Sequence, residues 1–148
     1  MEPIEIIHKL PYTEPFLFVD TITTIDDFGV EGGFTFRKEL AFYGGHFKDK
    51  PVTPGVILTE CCAQIGLVCL GIYLIEQNQL EANQIAMTSS EMEFLKPVFP
   101  DETVKVESEK VYFRFGKLKC KVKMYDSSGT LVCQGVLSGM IVKEDNGE

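Results

Sequence analysis

Apolar and polar positions divide the chain into one long helix-like run and a series of strand-like runs on either side of it. The stretch from Val56 to Ile75 is apolar almost throughout, broken chiefly by Glu60 and Gln64. Pro54 suits the opening of a helix, because its missing N–H would be unpaired there anyway. Thr53 is the expected N-cap. The pattern predicts a helix over about 54–77, a rod of about 30 Å. Before it, residues 16–19 (Phe-Leu-Phe-Val) read as a strand, followed by 21–25. A turn at Asp26-Asp27-Phe28-Gly29 then leads to alternation over 30–36. After the helix, residues 84–89, 92–95, 103–110, 117–125 and 131–142 are β-like. Pro97 and Pro100 divide the second of these from the third, and Asp126-Ser127-Ser128-Gly129 forms a hairpin turn. In 117–125, Leu118, Cys120, Val122 and Met124 alternate with lysines, so one face of that strand is wet.

The N-terminal residues 4–10 read as a helical turn. Residues 41–55 hold Gly44, Gly45, Pro51, Pro54 and Gly55, a loop with defined bends. Lys143 begins a polar tail. The expected fold is α+β, a single domain over 1–148 in which an antiparallel sheet of about five or six strands wraps the long helix. A helix apolar on all sides needs cover on more than one, and a second copy of the chain would help supply it. The run has the length of a membrane span. Glu60 and Gln64 inside it, Pro54-Gly55 at its start and the amphipathic strands beyond it argue for a buried soluble helix with no membrane span.

A formal net charge of −8 argues against a nucleic-acid-binding surface. Cys61, Cys62, Cys69, Cys120 and Cys133 form neither a disulfide framework nor a metal-type spacing. Three of them fall in the apolar run, where cysteine behaves as a small hydrophobe. Together with an N-terminus lacking a signal-peptide pattern, this points to a reducing, cytoplasmic setting.

Two polar residues in apolar surroundings stand out. Glu60 lies within the long helix, where a carboxylate is costly to bury unless something uses it. His46 lies in Gly44-Gly45-His46-Phe47 and supplies the other half of a possible acid/base pair. Taken alone, a histidine in a glycine-rich loop is more often structural than catalytic. Gln64 stands one turn after Glu60 on the same face, placed to hold its carboxyl. Arg37, Lys38, Lys48, Lys50 and Lys96 form a basic rim that would suit an acidic partner; a plain solvated surface is the equal alternative. His8 reads as a surface residue.

Three segments resemble one family in order and spacing. They are Leu10-Pro11-Tyr12-Thr13-Glu14-Pro15-Phe16-Leu17-Phe18-Val19-Asp20; Gly45-His46-Phe47 with Pro51-Val52-Thr53-Pro54-Gly55-Val56 and Glu60-Cys61-Cys62-Ala63-Gln64; and Phe94-Leu95-Lys96-Pro97-Val98-Phe99-Pro100-Asp101. The middle segment is the specific one. It is similar to the active-site loop and helix of FabZ-type 3-hydroxyacyl-(acyl carrier protein) dehydratases, which have the hotdog fold. The resemblance implies a homodimer with continuous sheets, often assembled further into a hexamer built as a trimer of dimers. It also implies active sites at the dimer interface, with His and Glu from different subunits. The chain departs from the family where Tyr12-Thr13-Glu14 replaces the usual His-Arg-Tyr. It departs again where Lys48 replaces a proline, and where Asp101 follows Pro100 directly without the usual glycine. These departures bear on the substrate and its carrier rather than on His46 or Glu60.

The implied reaction removes water from a 3-hydroxyacyl thioester on acyl carrier protein, in fatty-acid or specialised lipid or polyene biosynthesis. His46 is the candidate base for the α-proton. The Gly55 N–H, at a helix N-terminus, is the candidate donor to the thioester oxygen. Glu60 is the candidate acid for the leaving hydroxyl. Apolar neighbours raise its pKa, whereas the helix N-terminus pulls it down. Lys48, Lys50 and Lys96 are the candidate carrier-docking residues. The elimination calls for no metal and no other cofactor. Two competing readings are a hotdog thioesterase, in which a helix carboxylate activates water, and a non-catalytic subunit that binds acyl carriers. The His46 loop favours dehydration, because hydrolysis needs no α-proton base.

Overall fold

The strands form one sheet, and one helix packs against a face of it. The structure is a computed structural model that describes residues 1–82 and 84–143; the rest of the polar tail, 144–148, lies outside the described residues. A short helix α1 (Pro3–His8) comes first, with Ile6 buried and His8 exposed at its end. Then come β1 (Thr21–Asp26), β2 (Gly29–Phe36), a 3-10 turn (Ala41–Gly44) and the long helix α2 (Gly55–Gln77). Strands β3 (Gln84–Phe94), β4 (Glu102–Arg114), β5 (Lys117–Tyr125) and β6 (Leu131–Val142) complete the chain. All pairings are antiparallel, in the order β1-β2-β4-β5-β6-β3. The six-stranded antiparallel sheet and the wrapped helix match the architecture expected from the sequence.

The helix earns its all-round apolarity by burial. Ile65, Leu67, Leu70 and Leu74 are enclosed, and they meet Val106, Leu118, Val122 and Leu137 from the sheet. Close approach of helix to sheet depends on glycine. A Cβ at Gly71 would stand 2.1 Å from Ile85 Cγ1, and one at Gly66 would stand 2.8 Å from Val122 Cγ1. Around Gly66, Gln64–Cys69 widens into a π turn, which disturbs the ordinary carbonyl ladder. The Ser108 hydroxyl donates to the Gly66 carbonyl at 2.8 Å, so that acceptor is satisfied from β4. Length and hydropathy would let Gly55–Gln77 cross a membrane, but here it is the core helix.

Several local expectations are corrected. Residues 16–19 are not a strand. The Phe18 N–H and the Phe16 carbonyl bond instead to the Gln64 side chain, which removes them from any ladder. The 84–89 and 92–95 segments are one strand, β3: Ser90 and Glu91 between them pair in regular register with Leu137 and Val136 of β6, and the irregularity lies earlier, between Met87 and Ser89. Thr53 does not cap α2. Pro54 holds the N-cap position, Gly55 is the first helical residue, and the Thr53 hydroxyl is engaged elsewhere.

Candidate active site

The N-terminal end of α2 gathers the candidate residues. His46 leaves the 3-10 turn through a hydrogen bond from its N–H to the Phe42 carbonyl, 3.0 Å. Its imidazole is half-buried and stacks on Phe47, with ring centroids 4.1 Å apart. His46 and Val52 are joined twice: the Val52 N–H donates to the His46 carbonyl at 2.8 Å, and His46 Nδ1 lies 2.9 Å from the Val52 carbonyl. A carbonyl can only accept, so Nδ1 carries a proton, and in the neutral ring it is Nε2 that has the lone pair. That tautomer is the one a proton acceptor needs.

Gly55 begins the helix with its N–H free of the helix ladder. The Phe94 ring packs directly over it: a Cβ at Gly55 would stand 3.3 Å from that ring. Glu60 follows on the inner side of α2, half-buried. Its Oε2 accepts from Gln64 Nε2 at 3.0 Å. Gln64 is itself fully buried and fully used: Nε2 also donates to the Phe16 carbonyl at 3.0 Å, and Oε1 accepts the Phe18 N–H at 2.8 Å. The N-terminal segment thus locks Gln64, and Gln64 locks Glu60. Burial raises the Glu60 carboxyl pKa above its ordinary value, and the Gln64 hydrogen bond opposes that only in part. Tyr12 lies near enough for the Glu60 charge to be felt. Its phenol is pushed up to about 12, first by burial and then by that carboxylate.

The structure therefore brings Glu60 together with Gln64, and His46 with the segment that runs into Gly55. Among the described residues, no hydrogen bond joins His46 to Glu60 within one chain. Lys48 and Lys50 are exposed on the loop after His46. Lys96 instead forms an ion pair with Asp126, and Arg37 pairs with Asp20 at 3.4 Å, so two members of the basic rim have partners of their own. Sequence reasoning missed three contributors: Phe94 over Gly55, the Tyr43–Thr53 hydrogen bond, and the clamp of Phe16 and Phe18 on Gln64. The placement of Gln64 one turn after Glu60 is legible as a spacing. The backbone atoms that fix its other end lie far away in sequence and leave no local pattern.

A long buried helix wrapped by a six-stranded antiparallel sheet defines the hotdog class. Residues 10–135 match the family described as FabA-like domain. The 3-hydroxyacyl-[acyl-carrier-protein] dehydratase FabZ of Herpetosiphon aurantiacus is 34% identical over 143 residues, covering 93% of this chain and 96% of that protein. The FabZ of Bacillus licheniformis is 35% identical over 133 residues, covering 86% and 87%. Among solved structures, the dehydratase heterocomplex ApeI:P from Xenorhabdus doucetiae superposes with a TM-score of 0.77 at 12% identity, covering 97% of this chain and 93% of that one. A hypothetical thioesterase from Streptococcus pneumoniae, with coenzyme A, gives a TM-score of 0.61 at 16% identity, covering 84% and 87%. The two structures show the shared fold alone. The chain belongs to the FabA-like family, in its FabZ-type branch of hotdog dehydratases.

Proposed function

We propose that this chain removes water from 3-hydroxyacyl groups held as thioesters on acyl carrier protein, giving the trans-2-enoyl thioester. The observation that carries the reading is the Glu60 carboxyl, held by an immobilised Gln64 and biased by burial toward its protonated form. His46 Nε2 takes the α-proton. The electrons move onto the thioester oxygen, where the Gly55 N–H receives the charge. Glu60 gives its proton to the 3-hydroxyl, which leaves as water while the double bond forms. Removing one donor of the Gly55 kind typically costs on the order of 10²–10³ in rate. A positioned general acid is worth about 10²–10⁴.

The site is completed by a second copy. Strand β3 lies at the sheet edge, and among the described residues no strand pairs with its outer side, an invitation to pair with another strand. Val56, Phe94 and Phe99, 76%, 49% and 49% exposed around the helix start, add apolar surface beside it. Pairing there makes the two sheets continuous and sets His46 of one chain against Glu60 of the other. Lys48 and Lys50 then receive the acidic carrier, with Lys96 contributing less because Asp126 already holds it. The relatives' names give 3-hydroxyacyl-[acyl-carrier-protein] as what they dehydrate, and fatty-acid synthesis is the setting proposed here for that chemistry. Tyr12-Thr13-Glu14 places a specialised lipid or polyene chain among the substrates to try.

The test is mass spectrometry of 3-hydroxyacyl carrier protein, from short to long acyl chains, after incubation with the protein. The expected result is loss of one water from the intact acyl carrier. Release of free carrier would establish hydrolysis instead.

A further inference from the structure

Base and oxyanion donor sit on different elements. His46 follows the 3-10 turn Ala41–Gly44, and Gly55 opens α2. The chain between them is largely exposed from Phe47 to Pro51, and its hydrogen bonds, two of them between His46 and Val52, stay within residues 46–52, so they do not anchor this loop to the core. Thr53 is the exception, only 5% exposed. Its N–H donates to the carbonyl of fully buried Val98 at 2.9 Å, and its hydroxyl hydrogen-bonds the phenol of Tyr43, itself 6% exposed. The Pro54 carbonyl, next in the chain, accepts the first helical N–H groups from Ile57 and Leu58. The Tyr43–Thr53 contact therefore ties the turn carrying His46 to the residue from which α2 starts.

Among the described residues, the two hydroxyls hydrogen-bond only to each other. Two buried polar groups that satisfy only each other can be replaced together by apolar groups of the same shape at almost no cost. Thr53 also performs no capping that would call for its hydroxyl. What the pair supplies is a fixed distance. We infer that Tyr43 and Thr53 are positioning residues whose mutual hydrogen bond sets His46 against the Gly55 N–H. The purpose of that spacing rests on the dehydratase reading above; the geometric claim stands apart from it.

The test uses the full chain and its variants Tyr43→Phe, Thr53→Val, the double variant and Thr53→Ser. Two readouts are taken: steady-state dehydration, and the ¹⁵N imidazole spectrum. The chain has only two histidines, so the signals of His46 separate readily from those of exposed His8. Each single variant is expected to lose about tenfold in kcat with KM changed less than about twofold, as displaced catalytic groups do. In both, the His46 spectrum moves from a single Nδ1–H tautomer toward a mixture. The double variant regains wild-type thermal stability without regaining kcat, a split that a merely structural role would not produce. Thr53→Ser keeps the rate and the tautomer. An unchanged His46 spectrum or an undiminished kcat in both single variants overturns the inference. A spectrum that moves as expected in a protein that never dehydrates any substrate upholds the positioning and overturns the dehydratase reading instead.

Discussion

Glu60 is governed by opposed influences, and the structure shows which prevails. Burial raises its pKa, and the Gln64 amide lowers it. An acid must be protonated to act, so the rate should fall as pH rises through the Glu60 pKa. Because that pKa is raised, this alkaline limb lies above the range of an ordinary carboxylate. Replacing Gln64 by Leu removes the opposing hydrogen bond and should shift the limb to higher pH, as a kcat–pH profile will show. It also strands the Phe18 N–H, at a cost of about 1–3 kcal/mol in unfolding free energy. Of this arrangement the sequence discloses Glu60, and Gln64 one turn later. It does not disclose the outcome, because the apolar surroundings and the helix start push in opposite directions. Only the actual burial decides between them. His46 is legible as a histidine in a bent loop, but its tautomer depends on the Val52 carbonyl and is not.

At the scale of elements, periodicity served best where one period dominates. The wet-faced strand β5 and the long helix appear where the pattern places them. Failures occur where a side chain competes for the backbone. Residues 16–19 have a strand's composition, but the buried Gln64 amide takes the Phe18 N–H and the Phe16 carbonyl. The π turn in α2 is likewise invisible to a search for a 3.6-residue period; its sign is Gly66, with Ser108 supplied from another strand. Glycine in a helix normally invites improvement by alanine, worth about 1 kcal/mol in propensity. At Gly71 the prediction is reversed. An added methyl meets Ile85 at 2.1 Å, so Gly71→Ala should destabilise the protein by about 1–3 kcal/mol. Urea unfolding monitored by circular dichroism measures it.

For the whole molecule, the question is whether one chain contains a complete site. Mixing two inactive variants answers it. His46→Ala and Glu60→Gln should each be dead alone as homodimers. After unfolding and refolding together, a hybrid dimer has one site with both substitutions and one with neither. Random pairing should then restore about a quarter of wild-type activity. No recovery, despite hybrids shown by native mass spectrometry, would place both residues of each site on one chain. The enclosed thiols lead to a different use of the whole fold. All five cysteines are buried out of reach of reagent; burial raises the pKa of Cys61, Cys69 and Cys120, the last to about 11, while the Cys62 contact lowers that of Cys133. Thiolate is the form that alkylating reagents attack, so the native protein should resist iodoacetamide at neutral pH. Once the fold opens, all five become available together. The molecule carries its own clock: at saturating reagent, the rate at which five labels appear on the same chain is the rate at which that chain unfolds.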